Sequence, residues 1–138
     1  MSSLQSGAAF LEDKAAEKYQ ASDYAQPGTL KFTVPLTTSD NVMWAYVWCT
    51  SSQAVLDDNF KSIKLKFMLD GKDVSSQMQT TDVPNNGQQC RVLFASLSNW
   101  PAGAHHLTTT ATFAGKINDG TSDYPAGDNV LDYTVNVQ

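Results

Sequence analysis

From residue 29 onward, apolar side chains recur at every second position, and they do so in seven separate runs. Segments 29–36, 42–50, 62–69, 74–80, 89–97, 105–113 and 130–137 are rich in Thr, Val, Phe, Tyr and Trp, with turn residues between them. A period of two sends successive side chains to opposite faces of an extended strand, whereas a helix needs a period near 3.6 to gather them on one stripe. Asp70-Gly71 between two such runs predicts a type I′ hairpin, because both central positions of that turn need positive φ. Asn85-Asn86-Gly87 and Pro101-Ala102-Gly103 mark further turns. Seven short strands with no helix between them predict an all-β fold, an antiparallel sandwich.

The first 28 residues have a different rhythm. Leu4, Ala8, Leu11, Ala15 and Tyr19 are three or four apart, widened by Phe10 and flanked by Glu12, Asp13, Lys14, Glu17 and Lys18. That spacing predicts a short amphipathic helix over 8–20, stopped before Pro27-Gly28. The chain then divides into an N-terminal helical appendage, 1–28, and a β-sandwich domain, 29–138; a total of 138 residues suits one core. A helix this short is marginal alone, so its stripe must pack on its own sandwich or on that of a neighbouring subunit. Charge narrows the partners. Fourteen acidic residues against nine basic ones leave a net charge of −5, the reverse of what a phosphate backbone attracts. No apolar run reaches the eighteen or so residues of a membrane span, and the first residues lack the basic-then-apolar pattern of a signal peptide.

The run from Val42 to Cys49 has two apolar faces: Trp44, Tyr46 and Trp48 on one, and Met43, Ala45, Val47 and Cys49 on the other. Aromatic rings about 6.8 Å apart match stacked sugar rings, which makes the ladder a candidate platform for an oligosaccharide. Two other arrangements bury it. The aromatics form the core with Cys49 outside, or the N-terminal helix lays Leu11, Ala15 and Tyr19 over them. Burial is the stronger expectation for three large rings. Trp100, before Pro101, fits either a plug at one end of the sandwich or a loop-borne binding residue.

Cys49 and Cys90 fall in the second and fifth runs, where an oxidising compartment would join them in a disulfide and a cytoplasmic one would leave two buried thiols. Asp119, Asp123 and Asp128 crowd the loop before the last run together with Asn118, Thr121, Ser122 and Asn129. Hard oxygen ligands of this kind suit calcium, and the same residues build ordinary long turns. His105 and His106 are adjacent, so a strand sends them to opposite faces and they cannot grip one metal ion together. The motifs of catalysis are missing: no Cys-x-x-Cys pair, no Gly-x-Ser-x-Gly elbow and no phosphate-binding Gly-Lys-Ser/Thr. The two glutamates, Glu12 and Glu17, are placed on the solvated face of the expected helix, so no catalytic residue and no cofactor is expected.

Three short stretches suggest a relationship. Gly71-Lys72-Asp73-Val74 after a strand, Pro101 to Thr108 leading into another, and the final Tyr133-Thr134-Val135-Asn136-Val137 resemble immunoglobulin-like modules of bacterial surface proteins. Together they cover the last half of the chain. The antibody-type variant is not matched: no Trp lies between Cys49 and Cys90, and Gln88 stands where that variant has Tyr. The resemblance implies a non-catalytic structural, adhesive or interaction module of a secreted, periplasmic or cell-surface protein. Its partner would be another protein or a second copy of the chain; the alternative is a carbohydrate-binding module using Trp44, Tyr46 and Trp48.

Overall fold

The alternating runs pair into two sheets. The computed structural model describes residues 9–138, so Leu4 and Ala8 of the expected stripe lie outside the described residues. In chain order the strands are β1 (Ala9–Phe10), β2 (Gly28–Leu36), β3 (Val42–Thr50), β4 (Ile63–Leu69), β5 (Lys72–Asp73), β6 (Gln79–Asn85), β7 (Gln88–Leu97), β8 (Gly103–Phe113), β9 (Ile117–Asn118), β10 (Asp123–Tyr124) and β11 (Gly127–Val137). Two short helices interrupt them, α1 (Ala21–Tyr24) and α2 (Gln53–Asn59). One sheet has the order β1-β3-β7-β6 and the other β2-β11-β8-β4-β5, with β9 and β10 forming a small ribbon. No described helix is long and apolar enough to cross a membrane.

The alternation is visible in the burial. Along β11, Tyr133, Val135 and Val137 are buried while Thr134 and Asn136 are exposed; β2 buries Phe32, Val34 and Leu36 and exposes Lys31, Thr33 and Pro35. The two strands run parallel, from Asn129 beside Gly28 to Val137 beside Leu36, so their buried sets share one face. Across the layer, Trp44 of β3 meets Phe67 of β4 edge-to-face at 5.3 Å, and its indole N–H donates to Thr109 Oγ1 of β8 at 3.0 Å. Two of the three expected turns form as tight hairpins, while Pro101-Ala102-Gly103 leads straight into β8, which starts at Gly103. Asp70 and Gly71 have φ of 48° and 83° between β4 and β5, and Asn86 and Gly87 have 52° and 81° between β6 and β7.

The N-terminal helix over 8–20 does not form. Leu11–Lys14 makes one 3₁₀ turn, the chain then runs extended, and α1 follows with a capping box between Gln20 and Asp23. Leu11 and Ala15 are buried as the stripe required, 1% and 5% exposed, but the backbone finds its partners in the sheets. Phe10 lies parallel to Met43, Ala16 N donates to Thr33 O at 2.8 Å, Thr33 N to Glu17 Oε1 at 2.5 Å, and Tyr19 Oη to Lys31 O at 2.7 Å. Bonds to the open side of β2 outweigh a helix too short to persist alone. Residues 9–28 are therefore part of the sandwich rather than a helical appendage.

Two further expectations fail. A helix does stand between strands: Ser52 caps α2 by accepting from Val55 N at 3.3 Å, and Leu56 is fully buried. The expected strand over 74–80 is replaced by a 3₁₀ turn at Ser75–Gln77, just after β5, and by the start of β6 at Gln79. Ser75 causes that break, since its Oγ accepts from Phe67 N at 2.9 Å and its own N–H donates to Asp73 Oδ1 at 2.9 Å, diverting groups a ladder would use. Cys49 and Cys90 form a disulfide between directly opposed residues of β3 and β7, with Cα atoms 4.0 Å apart, so the bridge joins neighbours within one sheet.

Candidate functional site

β1 covers only the first two residues of β3, at Val42 and Met43; from Trp44 to Trp48 the outer edge of β3 has no strand partner among the described residues. Along that edge lies a cavity of about 390 Å³. Its walls come from β3, from Leu30 of β2 and residues 129–133 of β11, and from two pieces of the N-terminal segment around Glu12 and Tyr24. The ladder supplies much of the surface. Trp44, Tyr46 and Trp48 point into the layer between the sheets, which is the arrangement with aromatics inside and Cys49 on the opposite face. Trp44 closes the inner end at 1% exposure, while Trp48 packs edge-to-face on Phe113 at 5.3 Å and on Tyr124 at 4.9 Å. α2 fixes Trp48, because its indole N–H donates to Asn59 Oδ1 at 2.9 Å and Asn59 Nδ2 donates to Asn118 O at 3.0 Å.

The polar groups of the cavity are few and unusual. Glu12, expected on a solvated helix face, is instead turned inward: Tyr133 Oη donates to its Oε1 at 3.1 Å and Tyr24 Oη to its Oε2 at 3.2 Å. Burial raises the Glu12 carboxyl above the usual glutamate range, opposed by the two tyrosine hydrogen bonds. No ion pair forms to it among the described residues. Tyr46, whose hydroxyl makes no hydrogen bond among the described residues, is pushed up by burial alone. Asn129 Nδ2 is buried without a partner. The two large apolar side chains that stand exposed among the described residues, Tyr24 and Val47 at 37% each, both belong to this cavity. An exposed, part-aromatic pocket with a buried polar atom left unpaired has the makings of a ligand site.

Other sequence candidates sit elsewhere. Trp100 is buried in the main core, edge-on against His105 at a centroid distance of 5.8 Å, and takes no part in the cavity. Asp119 is 6% exposed with its oxygens already engaged: Oδ1 accepts from Thr121 N, Thr121 Oγ1 and Ser122 N, and Oδ2 from Tyr124 Oη. Asp123 accepts from Asn118 and pairs with Lys116, and Asp128 accepts from Thr112, so the three carboxylates have separate partners. Among the described residues no group of three or more His, Cys, Asp or Glu side chains could hold a metal ion. His105 packs and His106 meets solvent, where it pairs with Asp132. Glu12, Tyr24, Asn129 and Tyr133 were not legible as a site. They are far apart in sequence, and the one available signal was a glutamate directly after Phe10-Leu11 in a segment that turned out not to be helical. Comparison with protein-family models, with curated proteins and with solved structures finds no match to this chain.

Proposed function

We propose that the chain is a non-catalytic interaction module of the immunoglobulin-like type, from a secreted or surface protein, and that it binds through the cavity at the open edge of β3. Strand order supports the immunoglobulin-like reading. With β1, β3, β4, β6, β7, β8 and β11 taken as A to G, one sheet runs A-B-E-D and the other places C, F and G side by side, the order of that fold, although the two-residue A runs parallel to B where that fold is antiparallel. The bridge differs, since it joins B to E within a sheet rather than B to F across the layer. A disulfide suits an oxidising location. The observation that carries the binding reading is the cavity itself: about 390 Å³, aromatic, open at Tyr24 and Val47, with the buried Nδ2 of Asn129 left without a partner. An enclosed site of this shape favours a compact ligand over a polysaccharide lying across the strand.

N-phenyl-1-naphthylamine, a neutral apolar fluorophore, tests this. Its emission is expected to rise on mixing with the protein, and Leu30→Phe and Val47→Phe, which narrow the cavity from its floor and its rim, are expected to weaken binding. Absence of binding, or binding untouched by both substitutions, would overturn the reading.

A further inference from the structure

The charge of the cavity wall is one-sided. Glu12, Asp13 and Asp23 line it, and among its described lining residues there is no Lys, Arg or His. The same wall carries the rings of Tyr24, Trp44, Tyr46, Trp48 and Tyr133. We propose that the ligand group seated here is a small organic cation, a protonated amine or a quaternary ammonium, held by the aromatic faces and the Glu12 carboxylate. This rests on the cavity being the binding site.

Two physical arguments carry it. A ring face is the negative end of an aromatic quadrupole, and several faces around one space form a box that attracts a cation more than a neutral group of the same shape. Glu12 supplies the second argument. A carboxylate drawn out of water is costly unless a charge answers it, and the two hydroxyls that reach Glu12 are neutral donors. The groups facing it are Tyr133, Tyr24, Asp13 and Lys18; burial acts most strongly on it and disfavours the charge. Lys18 makes no ion pair with Glu12, its Nζ donating instead to Asp13 O at 3.0 Å. A cationic ligand would complete the pair that the protein leaves half-built. An anion would meet three carboxylates, and a neutral ligand would leave Glu12 unanswered.

The test compares choline with 3,3-dimethylbutan-1-ol, its uncharged counterpart of nearly equal shape, as competitors of N-phenyl-1-naphthylamine at constant ionic strength. Choline is expected to displace the fluorophore at concentrations about tenfold lower or better. Glu12→Gln keeps one of the two oxygens that accept from tyrosine and removes the charge, and Asp13→Asn alters an exposed side chain; each is expected to shrink the choline preference while the fluorophore still binds. Equal displacement by the two compounds, or a preference that survives both substitutions, would overturn the cation assignment while leaving the cavity as a binding site. A fluorophore that fails to bind at all would overturn both.

Discussion

At the scale of single residues, His105 sets a pH dependence. Its Nδ1 faces Asp70 Oδ2 at 2.8 Å and its Nε2 faces Pro101 O at 2.7 Å, both acceptors, so only the protonated ring can donate to both. Asp70 first, and then the Pro101 carbonyl, raise the His105 pKa above the ordinary histidine value. A folded-state pKa above the unfolded one means stability that is complete below the unfolded value and is lost as pH rises through the folded one. The melting temperature is therefore expected to fall as pH climbs from the ordinary histidine range toward alkaline values, and His105→Gln to flatten that fall. Asp70 adds the opposite limb: its carboxyl is lowered by His105, so its contribution is lost as pH falls below the usual aspartate range. Trp44 gives a second residue-scale expectation. Thr109→Val leaves the buried indole N–H without its acceptor and should cost about 1–3 kcal/mol in urea unfolding, whereas Thr109→Ser should retain most of it.

At the scale of elements, the connections carry the strain. Gly120, in the turn between β9 and β10, has φ of +100°, and a Cβ there would stand 1.9 Å from Ser51 Oγ and 2.6 Å from Ser51 Cβ. Gly120→Ala should lower the melting temperature, and adding Ser51→Gly should recover part of the loss by removing the clash and leaving the φ penalty. Ser51 N also donates to Asp119 O at 2.9 Å, so the damage should spread to the end of β3, and a weaker indole environment at Trp48 would report it. The disulfide constrains a stretch with a sequence separation of 41. Replacing both cysteines by Ala should cost about 3–4 kcal/mol with the β3–β7 ladder still formed. Element type was readable where the period of two ran unbroken, as in β2, β3, β7, β8 and β11. It was not readable where a side chain captured the backbone, as Ser75 does, or where a capped turn of Gln, Ala, Val and Leu made α2 inside an apparent loop.

At the scale of the molecule, the N-terminal segment belongs to the sandwich and to the cavity at once. Leu11 and Ala15 are buried in the main core, and Glu12 and Tyr24 wall the cavity. Deleting residues 1–26 is expected to lower the melting temperature by many degrees and to abolish fluorophore binding, both measurable on one sample. A truncated protein of unchanged stability and oligomeric state would mean that the segment packs neither on its own sandwich nor on a second copy. By itself the sequence determined the local alphabet: the strands that alternate, the two hairpins with positive φ, and the low charge of strands faced with Thr, Ser and Asn. Those are short-range facts, fixed by φ preferences and by side-chain period. Only the tertiary structure decided which face of the Trp44–Trp48 ladder is inside, where residues 9–28 run, and that Glu12 meets Tyr24 and Tyr133. Each of these depends on which groups lie across the layer. Burial is a property of the neighbour as much as of the residue, and a backbone N–H with a partner on β2 has no need of a helix.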